Sequence, residues 1–316
     1  MTDGYVEVGI TDRVTGARSL LRRLRADPGA VFGAVTIAVF VLAAILAPLI
    51  TMISGHDPYT YDLDALDATG APAGFGGGIS GRHWFGVEPL TGRDLFAIVV
   101  HGSRTSLVVG IAATVVSVVI GVVVGLLAGY FGGWTDRILG RTADVVFGFP
   151  GLVFMIALGA IVPAWLPKPV LIIVVIGFFG WPGIARVVRS QTLVLKDRNF
   201  VIASQIAGGG TAHVLFRQLL PNLAATVIVF ATISIPGKIG TEAALSFLGV
   251  GVPPPTPAWG RSIGEAIGWV GTDPMFLIFP GAALFLITLA FNLFGDGLRD
   301  ALDPRTAVSA RAGIGR

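Results

Sequence analysis

The sequence contains no cysteine, which removes disulfide staples, thiolate metal sites and cysteine nucleophiles together. Charge is scarce: 13% of the 316 residues are Asp, Glu, Lys or Arg, against about 25% in a soluble domain. Lysine occurs only at 168, 196 and 238, and none of the three completes a Gly-x4-Gly-Lys-Ser/Thr phosphate loop. Any energy from ATP must therefore come from another chain. There is no His-Glu-x-x-His zinc-protease motif either. The net charge of +3 is too small and too dispersed for a nucleic-acid binder. Apolar residues fill the space that charge leaves. They make up 53% of the chain, with 44 glycines and a mean hydropathy of +0.80. That composition predicts an all-α integral membrane bundle packed closely through small residues.

Residues 1–30 are polar and basic, with Arg13, Arg18, Arg22, Arg23 and Arg25. The uncharged run 31–53 is longer than a signal-peptide core and reads as a retained first span. A polar loop follows at 54–104. Residues 105–296 then form a core with five further spans, at about 105–128, 144–165, 170–188, 223–248 and 276–295. A short connector at 129–143, a longer polar loop at 189–222 and a Pro-rich loop at 249–275 separate them, and 297–316 is a polar tail. Six spans put both ends on one side. Of the 22 Lys and Arg residues, 16 fall in the segments on the side of the termini, five in the opposite loops, and Lys238 within a span. The positive-inside bias therefore predicts cytoplasmic termini. Pro-Gly pairs at 150–151, 182–183, 236–237 and 280–281 predict a kink in each of four spans, suited to bent helices around a pathway.

Within the polar loop, Asn199 to Ala207 reads as a short helix with Phe200, Ala203, Ile206 and Ala207 on one stripe. Gly208-Gly209-Gly210 ends it. Thr211 offers an N-cap for a second short helix carrying Val214, Leu215 and Leu219 and stopped by Pro221. Such a partly apolar pair outside the membrane needs a surface to cover it: its own bundle, lipid headgroups or a partner.

This loop resembles the cytoplasmic signature of ABC-importer permeases, namely Glu-Ala-Ala, three residues, Gly, nine residues, Ile-x-Leu-Pro. Ile202-Ala203-Ser204, Gly208 and Gln218-Leu219-Leu220-Pro221 take those places, with Ile202 for the acid, Ser204 for the second alanine and Gln218 for the isoleucine. His83-Trp84-Phe85-Gly86 with Thr91-Gly92-Arg93-Asp94 resembles the segment that follows the first helix in the peptide/nickel group. The segments 125–134, Gly180-Trp181-Pro182-Gly183, 242–249, 255–260 and 292–300 are similar to that group as well, and the chain resembles its dipeptide/oligopeptide permease C-subunit. The likeness covers roughly 30–304. It implies a type I ABC-importer permease bundle in the bacterial plasma membrane, working by alternating access. It further implies a homologous permease partner, one or two ATPase subunits holding ATP and Mg, an extracytoplasmic binding protein, and a peptide substrate. Nickel, opines or haem are the alternative cargoes. On this likeness Phe200, Ile202, Ala203, Ser204, Ile206, Gly208, Leu220 and Pro221 form the coupling surface for the ATPase.

Lys238 and Glu242 are the only charges well inside a span. At i, i+4 they share a face and are close enough to pair, though Lys before Glu is the weaker order, and they either line the translocation path or snorkel to the interface. No catalytic residue, metal ligand or cofactor of this chain is expected. An intramembrane protease would need a buried base beside a serine. None of His56, His83, His101 and His213 falls in the spans drawn above, and Gly78-Ile79-Ser80-Gly81 lies in a polar loop. A secondary transporter has no use for a docking knob at 199–222.

Overall fold

The computed structural model describes residues 17–161 and 167–302. The outer parts of the N-terminal segment and C-terminal tail, and the end of the third expected span, lie outside the described residues. Every long element is helical. The chain begins with α1 (Ala17–Ala26) and α2 (Pro28–Ser54). Asp27 caps α2, its carboxylate accepting from the Gly29 N–H at 2.9 Å, and Pro28 follows where no N–H is needed. Gly55 ends α2 with a left-handed φ of +78°. Then come α3 (Leu95–Phe131), α4 (Gly133–Gly148), α5 (Gly151–Ile161) and α6 (Lys168–Leu195). The short α7 (Asn199–Ile206) and α8 (Thr211–His213) lead through a π-turn (Val214–Leu219) into α9 (Leu220–Phe247). The chain continues into α10 (Trp259–Ala266) and α11 (Met275–Leu302). Five helices are long and apolar enough to cross a membrane, and α4 with α5 make a sixth if the bent pair counts as one span.

The most extensive packing is between α3 and α6, and glycine explains it. Gly121, Gly125 and Gly129 recur every fourth residue on one face of α3. A Cβ at Gly125 would lie 2.6 Å from the Ala185 carbonyl oxygen, and one at Gly129 would lie 2.7 Å from Thr192 Cβ. Gly177 of α6 returns the contact, 2.6 Å from Val116 Cβ. Removing side chains lets the two backbones touch, which replaces the hydrophobic drive that lipid cannot supply. In the same way Gly33 seats α2 on the Ala290 carbonyl of α11. Arg23 Nη1 donates to the Ala301 carbonyl at 3.2 Å, so the two ends of the described chain meet at one end of the bundle.

Several expectations need correction. The second long helix starts at Leu95 instead of about Thr105, because Leu95, Ile98 and Val99 bury a face that the hydropathy of His101 and Arg104 conceals. His101 therefore does lie within a long helix. It faces Thr51 Oγ1 at 3.3 Å, and that hydroxyl already donates to the Ala47 carbonyl at 3.0 Å, so no nucleophile is activated. The connector 129–143 is mostly helix: Gly132 and Gly133, both at positive φ, turn the chain, and α4 runs from there. Asp136 holds α4 to α6 through a two-pronged pair with Arg189. Of the four Pro-Gly pairs, only Pro150-Gly151 stands at a break, where α4 and α5 bend by 72°. Pro182, Pro236 and Pro280 lie inside helices that continue past them. Pro221 does not stop a helix either. It sits in the first turn of α9, where a missing N–H costs little, and the helix passes it through the π-turn. Gly210, not Thr211, occupies the N-cap position of α8.

Candidate functional site

The loop between α6 and α9 is held by a few apolar anchors. Val201 is fully buried and packs in one cluster with Leu126, Ile184, Val188, Val214, Leu215, Leu219 and Leu223. Val201 is the anchor that the stripe reading missed, because its partners come from three other helices. With one side pinned, α7 turns the rest of its surface outward. Phe200, Ile202, Ala203, Ile206 and Gly208 are exposed, Ile206 at 83%, while Ser204 is half-buried. Gly208 ends the helix at φ +86°, donating to the Gln205 carbonyl at 3.0 Å, and Gly209 donates to Ser204 at 2.9 Å. A side chain at Gly209 would meet the Ser204 carbonyl at 2.6 Å. Further along the loop Phe216 is 62% exposed and Pro221 exposed, while Leu220 is half-buried. Among the described residues, nothing of the chain covers this apolar knob.

Lys238 and Glu242 do not pair. Lys238 is half-buried and donates from Nζ to the Ile176 carbonyl of α6 at 3.2 Å. Glu242 is 0% exposed, and its two oxygens accept from Ser106 of α3 at 3.0 Å and from Ser246 at 2.7 Å. Ser246 in turn accepts from the Val252 N–H at 3.1 Å. The shared face is real, but each side chain reaches to a different neighbouring helix, and Glu242 does not snorkel. Sequence spacing alone has no means of locating Ser106, 136 residues away.

The opposite end of the bundle is closed by the two long loops. Arg93 donates to both oxygens of Glu88, at 2.6 and 2.8 Å, and to the Pro255 carbonyl at 3.1 Å, joining loop 54–94 to loop 248–258. Burial works against the Arg93 charge, yet the Glu88 pair outweighs it and holds its pKa above the ordinary arginine value. Burial pushes the Glu265 carboxyl up, and the charge of Arg261, 3.4 Å away, offsets this only in part. Trp259 is fully buried against α3: its indole N–H donates to the Val99 carbonyl at 2.8 Å, and a Cβ at Gly102 would lie 2.7 Å from its ring. Ser80, the serine of the Gly-x-Ser-Gly stretch, accepts from the His83 N–H at 3.0 Å and is a turn residue.

A glycine-seamed bundle of membrane-length apolar helices, with a separate loop carrying an uncovered apolar knob, defines a multi-pass helical membrane protein. Residues 121–308 match the family described as binding-protein-dependent transport system inner membrane component, and residues 17–72 match the N-terminal transmembrane domain of oligopeptide transport permease C. The chain is 40% identical over 284 residues to the glutathione transport system permease protein GsiD of Shigella flexneri serotype 5b (strain 8401), covering 90% of this chain and 89% of that protein. It is 39% identical over the same length to GsiD of Escherichia coli O6:K15:H31 (strain 536 / UPEC). The chain belongs to the binding-protein-dependent inner-membrane permease family, as an ABC-importer permease subunit of the peptide/nickel superfamily. It is accordingly a non-catalytic, multi-pass component of the bacterial plasma membrane that works within a multi-subunit importer.

Proposed function

We propose that this chain forms half of the translocation pathway for short peptides, a glutathione-sized tripeptide or a dipeptide being the cargo class. The relatives named for glutathione transport support that size range. ATP and Mg act in partner ATPase subunits, a homologous permease supplies the other half, and an extracytoplasmic binding protein delivers the peptide. Both termini face the cytoplasm, in line with the bias of Arg and Lys. The knob built from Phe200, Ile202, Ala203, Ser204, Ile206 and Gly208, with Leu220 and Pro221 at its base, docks into the ATPase. Closure of the ATPase pair then tilts α6 and α9 and opens the cavity outward. The observation that carries this reading is the apolar exposure of α7 around the buried Val201 anchor. Along the path, Lys238 is the charge available to cargo, while the enclosed Glu242 shapes the wall by fastening α9 to α3.

The test is Ala203→Asp in the assembled importer. A carboxylate buried in that contact without a partner costs on the order of 3–5 kcal/mol. Co-purification of the ATPase and uptake of labelled glutathione or dipeptide should fall together, while membrane insertion stays normal. Full ATPase recovery with this variant would remove the docking assignment. Uptake of nickel, opine or haem in place of peptide by the intact importer would remove the cargo.

A further inference from the structure

The loop joining α2 to α3 encloses a cavity of about 320 Å3 lined in part by His56, Asp62, Arg82, His83 and Asp94. His83 is 5% exposed, and its Nδ1 lies 2.9 Å from Asp94 Oδ2. Asp94 is itself fixed as the cap of α3, its other oxygen accepting from the Ala97 N–H at 2.7 Å. A carboxylate only accepts, so His83 Nδ1 donates to it and Nε2 is the ring nitrogen turned toward the cavity. That Nε2 is buried and makes no hydrogen bond, yet Asp62 Oδ2 stands 3.4 Å from it. His56 repeats the pattern. Its Nδ1 is 3.0 Å from the Ser54 carbonyl oxygen, which again can only accept, so Nε2 is the ring nitrogen left for another partner. The two rings lie 4.5 Å apart, and His56, His83 and Asp94 offer ligand atoms within 4.8 Å of one another.

His83 Nε2 and Asp62 Oδ2 therefore face each other across 3.4 Å inside the cavity. Histidines that bind metal usually donate the other ring N–H to a carboxylate or a backbone carbonyl, which is what Asp94 and Ser54 receive here. Bonds of about 2.0–2.1 Å in a tetrahedral zinc site place neighbouring ligand atoms about 3.3 Å apart. The His83–Asp62 separation already has that value. We propose that His56 Nε2, His83 Nε2 and Asp62 hold a divalent transition-metal ion, Zn2+ by ligand chemistry, with Asp94 and Ser54 orienting the two imidazoles. His56 follows the left-handed Gly55 at the end of α2, and its ring already stands 4.5 Å from that of His83 with Nδ1 held by Ser54. Arg82, 3.3 Å from Asp62 and 70% exposed, swings into water when the ion arrives. Water takes the fourth position. The ion bolts the end of α2 to the start of α3, and so to the loop that closes this end of the bundle.

Full-length protein carried on a histidine-free affinity tag, stripped with a chelator in detergent, is titrated with Zn2+ against a chromophoric competitor. The expected result is one equivalent bound, with His56→Ala and Asp62→Asn each weakening affinity on the order of 100-fold or more. Zn2+ should raise the thermal midpoint of the wild type and leave both variants unmoved. Asp62 stands before the short 3-10 turn Leu63–Ala65, but its side chain makes no capping hydrogen bond there, and His56 lies beyond the end of α2, so each variant is expected to fold. Co2+ in the wild type should give the visible bands of a four-coordinate ion, absent from His56→Ala. Equal zinc content in wild type and variants, or a wild-type midpoint indifferent to Zn2+, overturns the site and leaves His83 a structural brace for Asp94.

Discussion

The seam between α3 and α6 makes a sharp prediction, because the same substitution should have opposite signs at two helical glycines. Alanine in place of glycine gains roughly 1 kcal/mol of helix propensity. At Gly140 of α4 nothing lies within 4 Å of the new methyl, so Gly140→Ala should show about that gain. At Gly125 the methyl would land 2.6 Å from the Ala185 carbonyl oxygen and 2.7 Å from Val188 Cβ. Comfortable contact begins at about 3.5 Å, so α6 must retreat by about 0.9 Å. Neither obstacle can rotate away, since one is backbone and the other is the first atom of a side chain. Overpacking of this kind costs about 1–3 kcal/mol, and a retreat at Gly125 also loosens Gly121 and Gly129. The net effect of Gly125→Ala is a loss of about 1 kcal/mol, and Gly125→Leu should fail to assemble. Thermal unfolding of the purified protein in nanodiscs, read beside Gly140→Ala, measures this. A Gly125→Ala protein as stable as Gly140→Ala would show that the seam is not close-packed.

Glu242→Ala leaves the Ser106 and Ser246 hydroxyls without their acceptor, and should cost about 1–3 kcal/mol in thermal unfolding, whereas Glu242→Gln keeps an acceptor and should cost much less. Lys238→Met should slow peptide uptake with an unchanged midpoint; an unchanged uptake rate would take Lys238 off the path. Asp273 gives a pH prediction. Its Oδ1 caps α11, accepting from Met275 and Phe276 at 3.1 and 3.3 Å, while its buried Oδ2 has no partner. Burial raises this carboxyl above the ordinary aspartate value, the two N–H donors offsetting it in part. An acid raised in the folded state adds stability below its unfolded pKa and loses it as pH rises through the folded one. Asp273→Asn, which keeps the cap, should therefore be more stable than wild type near pH 7. The difference should close as pH falls to about 4; a difference independent of pH would contradict the assignment.

Local chemistry made much of this protein legible in one dimension. The uncharged run 31–53 located α2 to within a few residues, and the structure adds Asp27, Pro28 and Gly55 as its caps. Runs of apolar residues announced the long helices, and Gly208 the end of α7. The glycines of α3 could be counted, but their fourfold spacing became a seam only once α6 was laid against it. Amphipathic α4 was hidden, since a polar stretch reads as a connector until Arg189, 53 residues away, pairs with Asp136. Lys238 and Glu242 share a helical face by arithmetic, yet their partners are Ile176 and Ser106, chosen by the packing of α6 and α3. The rings of His56 and His83 come within 4.5 Å only because the loop folds back on the cap of α3. Propensity and hydropathy act over a few residues and are written in the sequence. Distances between residues far apart in the chain are set by which helices touch, and only the tertiary structure decides them.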